Sequence, residues 1–91
     1  MTRTLSFTSE QQLAAVVVEW LCNKGWDVYQ EVQTRTYGSR CDIVARRGPV
    51  IFAIECKLTL SLSVLDQAHR WLRHANHIAV AVPTTRSDSG L

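Results

Sequence analysis

The chain has 91 residues, 46% hydrophobic and 20% charged, which bounds it to one small domain with a modest core. A formal charge of +2 and a pI near 8.6 neither demand nor exclude a nucleic-acid partner. Its three cysteines, Cys22, Cys41 and Cys56, follow no CxxC or Cys/His spacing and no apolar run could span a bilayer, so the composition points to a reduced, soluble, cytoplasmic protein without a zinc site or disulfide framework.

Residues 1 to 8 carry no periodic signal and are expected to be an extended lead-in. Thr8 or Ser9 can cap a helix running to about Lys24, with Glu10 in the first turn, where the helix dipole favours negative charge, and Gly25 as its stop. Leu13, Ala14, Val17, Trp20 and Leu21 form one apolar face at helical spacing; Glu10 projects onto the middle of that face and Glu19 onto the opposite side. Glu19 therefore reads as solvent-exposed, whereas Glu10 either serves only the dipole or points toward the sheet edge. Trp26 to Gln33 alternates as a first strand, and Thr34 to Ser39 is a loop.

Strands Cys41 to Arg46 and Val50 to Leu58 flank Gly48-Pro49, a dipeptide suited to a two-residue hairpin loop whose first position has positive φ. Counting outward from that loop sets Arg47 opposite Val50 and Asp42 opposite Glu55. Alternation places Glu55 and Lys57 on one face, roughly 7 Å apart, with Asp42 on the same face and Cys56 on the other. Two carboxylates with Cβ atoms about 5 Å apart repel, and a bound divalent cation or an adjacent ammonium would offset this. A one-residue register shift would separate them. The plainer alternative is a surface Glu55–Lys57 ion pair beside a solvated Asp42.

Leu58 to Leu62 reads as a short connection, and Ser63 with Asp66 as a capping box opening a helix to about Ala75. Val64, Leu65, Ala68, Trp71, Leu72 and Ala75 form its apolar stripe, with Gln67, His74 and Arg70 along one flank as a possible groove wall. His69, His74 and His77 recur at no metal spacing and read as ordinary histidines. His77 to Val82 is an almost wholly apolar strand, typical of one covered on both faces, and Pro83 begins a polar tail over 83–91. The expected class is α/β (α+β), with an αβββαβ core over about 9–82. Its mixed four-stranded sheet has a helix on each side, and the crossover into the last strand is parallel and right-handed if the two strands it joins share the sheet.

With this order and the string Asp42-x(12)-Glu55-x-Lys57, the chain resembles the PD-(D/E)XK nuclease superfamily, which has the restriction-endonuclease-like fold, from about Glu10 to Val82. Its compactness and the pattern E-x(2)-L…G-W…D-I-V-A…I-E-C-K…Q-A are similar to small Holliday-junction resolvases and VRR-NUC-type nucleases. One departure is that Cys41, not proline, precedes Asp42. The resemblance implies a Mg²⁺- or Mn²⁺-dependent endonuclease of DNA repair or recombination, structure-selective and homodimeric, with no small-molecule cofactor. It implies Asp42, Glu55 and Glu10 as metal ligands, Lys57 orienting the attacking water or stabilising charge, and Gln67 orienting Lys57 or touching the phosphate. Arg35, Arg40, Arg46, Arg70 and Arg73 would track the phosphate backbone. Phe52 or Trp26 could supply a dimer interface. The competing expectation is a catalytically silent nucleic-acid-binding or subunit-interaction module on the same fold.

Overall fold

The protein is described by a computed structural model over residues 9–33 and 40–83. The expected lead-in, the loop with Arg35 and the tail from residue 84 lie outside the described residues.

Helix α1 spans Glu10–Asn23 and is capped by Ser9, whose extended backbone lets its hydroxyl accept the Gln12 N–H at 3.2 Å. At the other end Gly25 adopts φ +86°; its N–H donates to the Cys22 carbonyl at 3.0 Å, and Trp26 N–H donates to the Leu21 carbonyl at 3.1 Å. This pair of bonds closes the helix through a left-handed residue. The Arg47 guanidinium donates to the Lys24 carbonyl and lies 4.8 Å from the Trp26 ring centroid, which sets a cation at the negative end of the helix dipole. Leu13 and Leu21 are buried, with Ala14, Val17 and Val18 packed beside them. Trp20, expected on this face, is 55% exposed: the buried face is centred between Leu13 and Leu21, so Trp20 falls on its rim.

The four strands are β1 (Asp27–Gln33), β2 (Arg40–Arg47), β3 (Val50–Cys56) and β4 (His77–Ala81), in that spatial order. β1–β2 and β2–β3 are antiparallel and β3–β4 is parallel, giving the expected α+β class with a mixed open sheet. Arg47 pairs with Val50, so Gly48 (φ +57°) and Pro49 make the two-residue loop, and the expected register holds through Ile43↔Ile54. β3 stops at Cys56, two residues before the expected Leu58. Asn76 starts the parallel pairing: its side-chain oxygen accepts the Ile51 N–H and its own N–H donates to the Ile51 carbonyl, both at 2.8 Å. β4 is an outer strand, with β3 its sole strand neighbour among the described residues, and it is half-buried rather than covered on both faces.

Helix α2 (Leu62–His69) begins earlier than the Ser63 capping box suggests. Ser61 is the cap, accepting the Val64 N–H at 3.3 Å, while Asp66 pairs with Arg70 one turn on at 3.0 Å. A 3₁₀ turn follows over Arg70–Arg73. Val64, Ala68 and Trp71 are buried, but Leu65 and Leu72 are exposed, because they sit about a quarter turn from that line. With Leu60, Ile78 and Val80 they line an apolar groove of about 470 Å³ between α2 and β4.

Two clusters sandwich the sheet. Ile43, Ala45, Ile54 and Cys56 pack with Leu13 and Leu21 under α1; Cys41, Val44 and Ala53 pack with Trp71 on the other side. Trp26 and Phe52 meet edge to face at 5.9 Å, both partly buried and packed against the α1 cluster. No described helix is long and apolar enough to cross a membrane.

Candidate active site at the open end of the hairpin

The site forms where β2 loses its regular pleat. Ile43 packs under α1, yet Cys41, two residues before it, packs on the opposite side, although strict alternation would place both on one face. Opposite this break Glu31 takes a left-handed backbone at φ +56°, and neither Glu31 nor Asp42 has a partner in the β1–β2 ladder. This two-strand irregularity turns Asp42 toward α1, where it borders a cleft of about 250 Å³ with Glu10, Gln30, Glu31, Arg40 and Cys56.

Asp42 and Glu55 are the positions just beyond Ile43↔Ile54, where the β2–β3 ladder ends, and their carboxyls lie near enough to act on each other. They do so without sharing a simple pleated face. Ile51 and Ala53 pack on the Trp71 side of the sheet, so Glu55 belongs to that side and Asp42 reaches it around the end of β2. The Asp42 carboxylate accepts the Cys56 N–H at 2.8 Å and lies beside the Glu55 carboxyl. Glu55 is only 4% exposed, and its Oε1 is buried with no hydrogen-bond partner. Burial, then the adjacent Asp42 charge, pushes the Glu55 carboxyl up from 4.5 to about 7. Two carboxyls this close cannot both ionise cheaply, which favours one proton retained between them.

Lys57 and Glu10 sit beside this pair. The Lys57 ammonium lies 3.7 Å from Glu10 Oε2, both side chains being part-exposed. The helical face read from the sequence does aim Glu10 at the site, but at the lysine. Among the described residues no three His, Cys, Asp or Glu side chains converge as a preformed metal cage, and Glu10 stands nearest the Lys57 ammonium. The carboxyl pair alone still fits Mg²⁺ or Mn²⁺: hard oxygen donors, one orphaned buried oxygen, and a proton that a cation would displace. Mg²⁺ commonly takes one or two carboxylates and fills its remaining positions with water and phosphate oxygens.

The other expected residues are scattered. Gln67 is exposed on α2 and makes no hydrogen bond to Lys57. Arg46 is at the hairpin tip, four residues or roughly 13 Å of strand from Asp42, where its Nε–H donates to the Gly48 carbonyl at 3.0 Å. Arg70 is tied to Asp66, and Arg73 is exposed in the 3₁₀ turn. Arg40 alone among these arginines borders the cleft, ion-paired to Glu31. Two neighbours went unread in the sequence. Glu31 looked like any strand residue, and Cys41 contacts the Glu55 carboxyl while its thiol hydrogen-bonds the Ile43 carbonyl at 3.2 Å. Burial pushes that thiol up to about 12, so it stays protonated and acts as a donor rather than a nucleophile. Comparison of the chain with protein-family models, with curated proteins and with solved structures finds no match in any of the three.

Proposed function

We propose that the protein is a metal-dependent endonuclease that hydrolyses phosphodiester bonds in DNA, on a restriction-endonuclease-like fold. The observation that carries this reading is the buried Asp42–Glu55 carboxyl pair with Lys57 beside it. A bound Mg²⁺ supplies the Lewis acid and lowers the pKa of the attacking water. Asp42 and Glu55 would hold it, giving up their shared proton. Lys57, released from Glu10 by an incoming phosphate, would stabilise the negative charge that grows on the phosphoryl oxygens. Glu10 positions that ammonium before substrate arrives. Arg40 offers a guanidinium at the cleft for a neighbouring phosphate. Contacts to phosphates carry no sequence information, which favours recognition of branched DNA by shape. Cutting both strands takes two sites, and we propose a homodimer for it.

The test is cleavage of branched and linear DNA in Mg²⁺ and in EDTA. Asp42→Ala, Glu55→Ala and Lys57→Ala are each expected to lose about 100-fold or more, and Glu10→Ala less. EDTA-resistant cutting, or full activity in the carboxylate variants, would end the assignment. DNA binding without cutting in the unaltered chain would favour the silent module.

A further inference from the structure

Among the described residues two buried side-chain polar atoms lack a hydrogen-bond partner, Glu55 Oε1 and Trp71 Nε1. One is an acceptor and the other a donor. Both lie near the same thiol: Trp71 shares a buried cluster with Cys41, Val44 and Ala53, and Cys41 and Glu55 are near enough for each to shift the other's proton affinity. Ala53 is two residues before Glu55 and so lies on its face of β3. Trp71 is 3% exposed, so bulk solvent does not serve its indole N–H. The other groups near Glu55 are already engaged, since Asp42 accepts the Cys56 N–H, the Cys41 thiol donates to the Ile43 carbonyl and Lys57 faces Glu10. Native interiors seldom leave complementary polar atoms unserved, and a single buried water commonly joins such a pair.

We propose that Trp71 is a positioning residue for Glu55, its indole Nε1–H holding Glu55 Oε1 across one bound water and fixing the carboxyl orientation. The inference rests on the reading of Glu55 as a metal-holding carboxylate. It adds an orienting contact from the 3₁₀ turn after α2, on the side of the sheet away from the cleft. Outer contacts of this kind are worth about 10- to 100-fold in metal affinity or activity.

Two measurements test it. Trp71→Phe keeps a ring and removes the N–H; by calorimetric Mn²⁺ titration it is expected to bind about 10-fold or more weakly than the unaltered chain. In an amide and indole nitrogen–proton spectrum, Glu55→Gln is expected to move the Trp71 indole peak while leaving that of the exposed Trp20 in place. Unchanged Mn²⁺ affinity in a folded Trp71→Phe, or an unmoved Trp71 peak in Glu55→Gln, would overturn the proposal. Should Trp71→Phe fail to fold, the spectrum decides. Mn²⁺ binding that survives both Asp42→Ala and Glu55→Ala would instead sink the metal reading itself, and the spectrum would still report on the Trp71–Glu55 contact.

Discussion

At the residue scale, the protonation of Glu55 ties the site to stability. Its carboxyl is raised from 4.5 to about 7 in the fold, so below about pH 4.5 the folded and unfolded chains both carry the proton. Between those values the folded chain keeps it and the unfolded chain releases it, so this group's contribution to stability falls as pH rises and is gone above about 7. The loss is on the order of 3 kcal/mol. Thermal melts across that range should show Glu55→Gln with a flatter pH dependence and a higher melting temperature than the unaltered chain above about pH 7. Parallel curves would mean that Glu55 does not carry the proton. Saturating Mg²⁺ should recover much of the loss in the unaltered chain, since a cation favours the ionised pair. The meeting of Asp42 with Glu55 was legible because Gly48 and Pro49 each have one conformational role, and together they set the register. The turn of Asp42 around the strand end was not. It accompanies a left-handed backbone at Glu31, an ordinary L-residue whose identity carries no mark of that conformation.

At the scale of elements, caps decide where the site residues stand. Ser9 fixes the first turn of α1 and with it the direction of Glu10; Ser9→Ala should cost about 1 kcal/mol by denaturant unfolding. Gly48→Ala has open space for its methyl but must hold φ +57°, so it should cost about 1 kcal/mol through backbone strain alone. A loss near zero in either variant would mean that the loop or the cap relaxes without consequence. Helix α1 was readable from Ser9 to Gly25 because one residue type at each end has a single sensible use. Helix α2 was misread at its start because Ser61 and Ser63 both satisfy the local rule, and the choice between them is made by how β3 hands the chain over. Its apolar stripe was read one column too wide for the same reason: Leu65 and Leu72 have the right hydrophobicity but lie beside the buried line of Val64, Ala68 and Trp71.

At the scale of the molecule, apolar surface gathers on one side. Leu60, Leu65 and Leu72 are all exposed beside an outer strand, His77–Ala81, that carries no Asp, Glu, Lys or Arg. Such an edge is prone to pairing. If the proposed homodimer uses this side, sedimentation should find a dimer for the unaltered chain and a monomer for the double variant Leu65→Lys, Leu72→Lys. A persistent dimer would place the contact elsewhere. The order of elements and the parallel join of β4 to β3 were legible from period and length alone, whereas the half-exposed state of β4 was not, since an apolar strand reads the same at the centre of a sheet and at its rim. The paired bonds of Asn76 to Ile51 also bear on how the chain reaches this state in time. The first three strands are neighbours in sequence, so their pairing closes short loops and belongs to the fast, local phase of folding. β4 can dock only after residues 57–76 have swung back across the sheet, a longer search with fewer early rewards. Asn76 is where that return ends, so the segment between Lys57 and Asn76 ties the ammonium of the site to the strand whose pairing closes the longest loop.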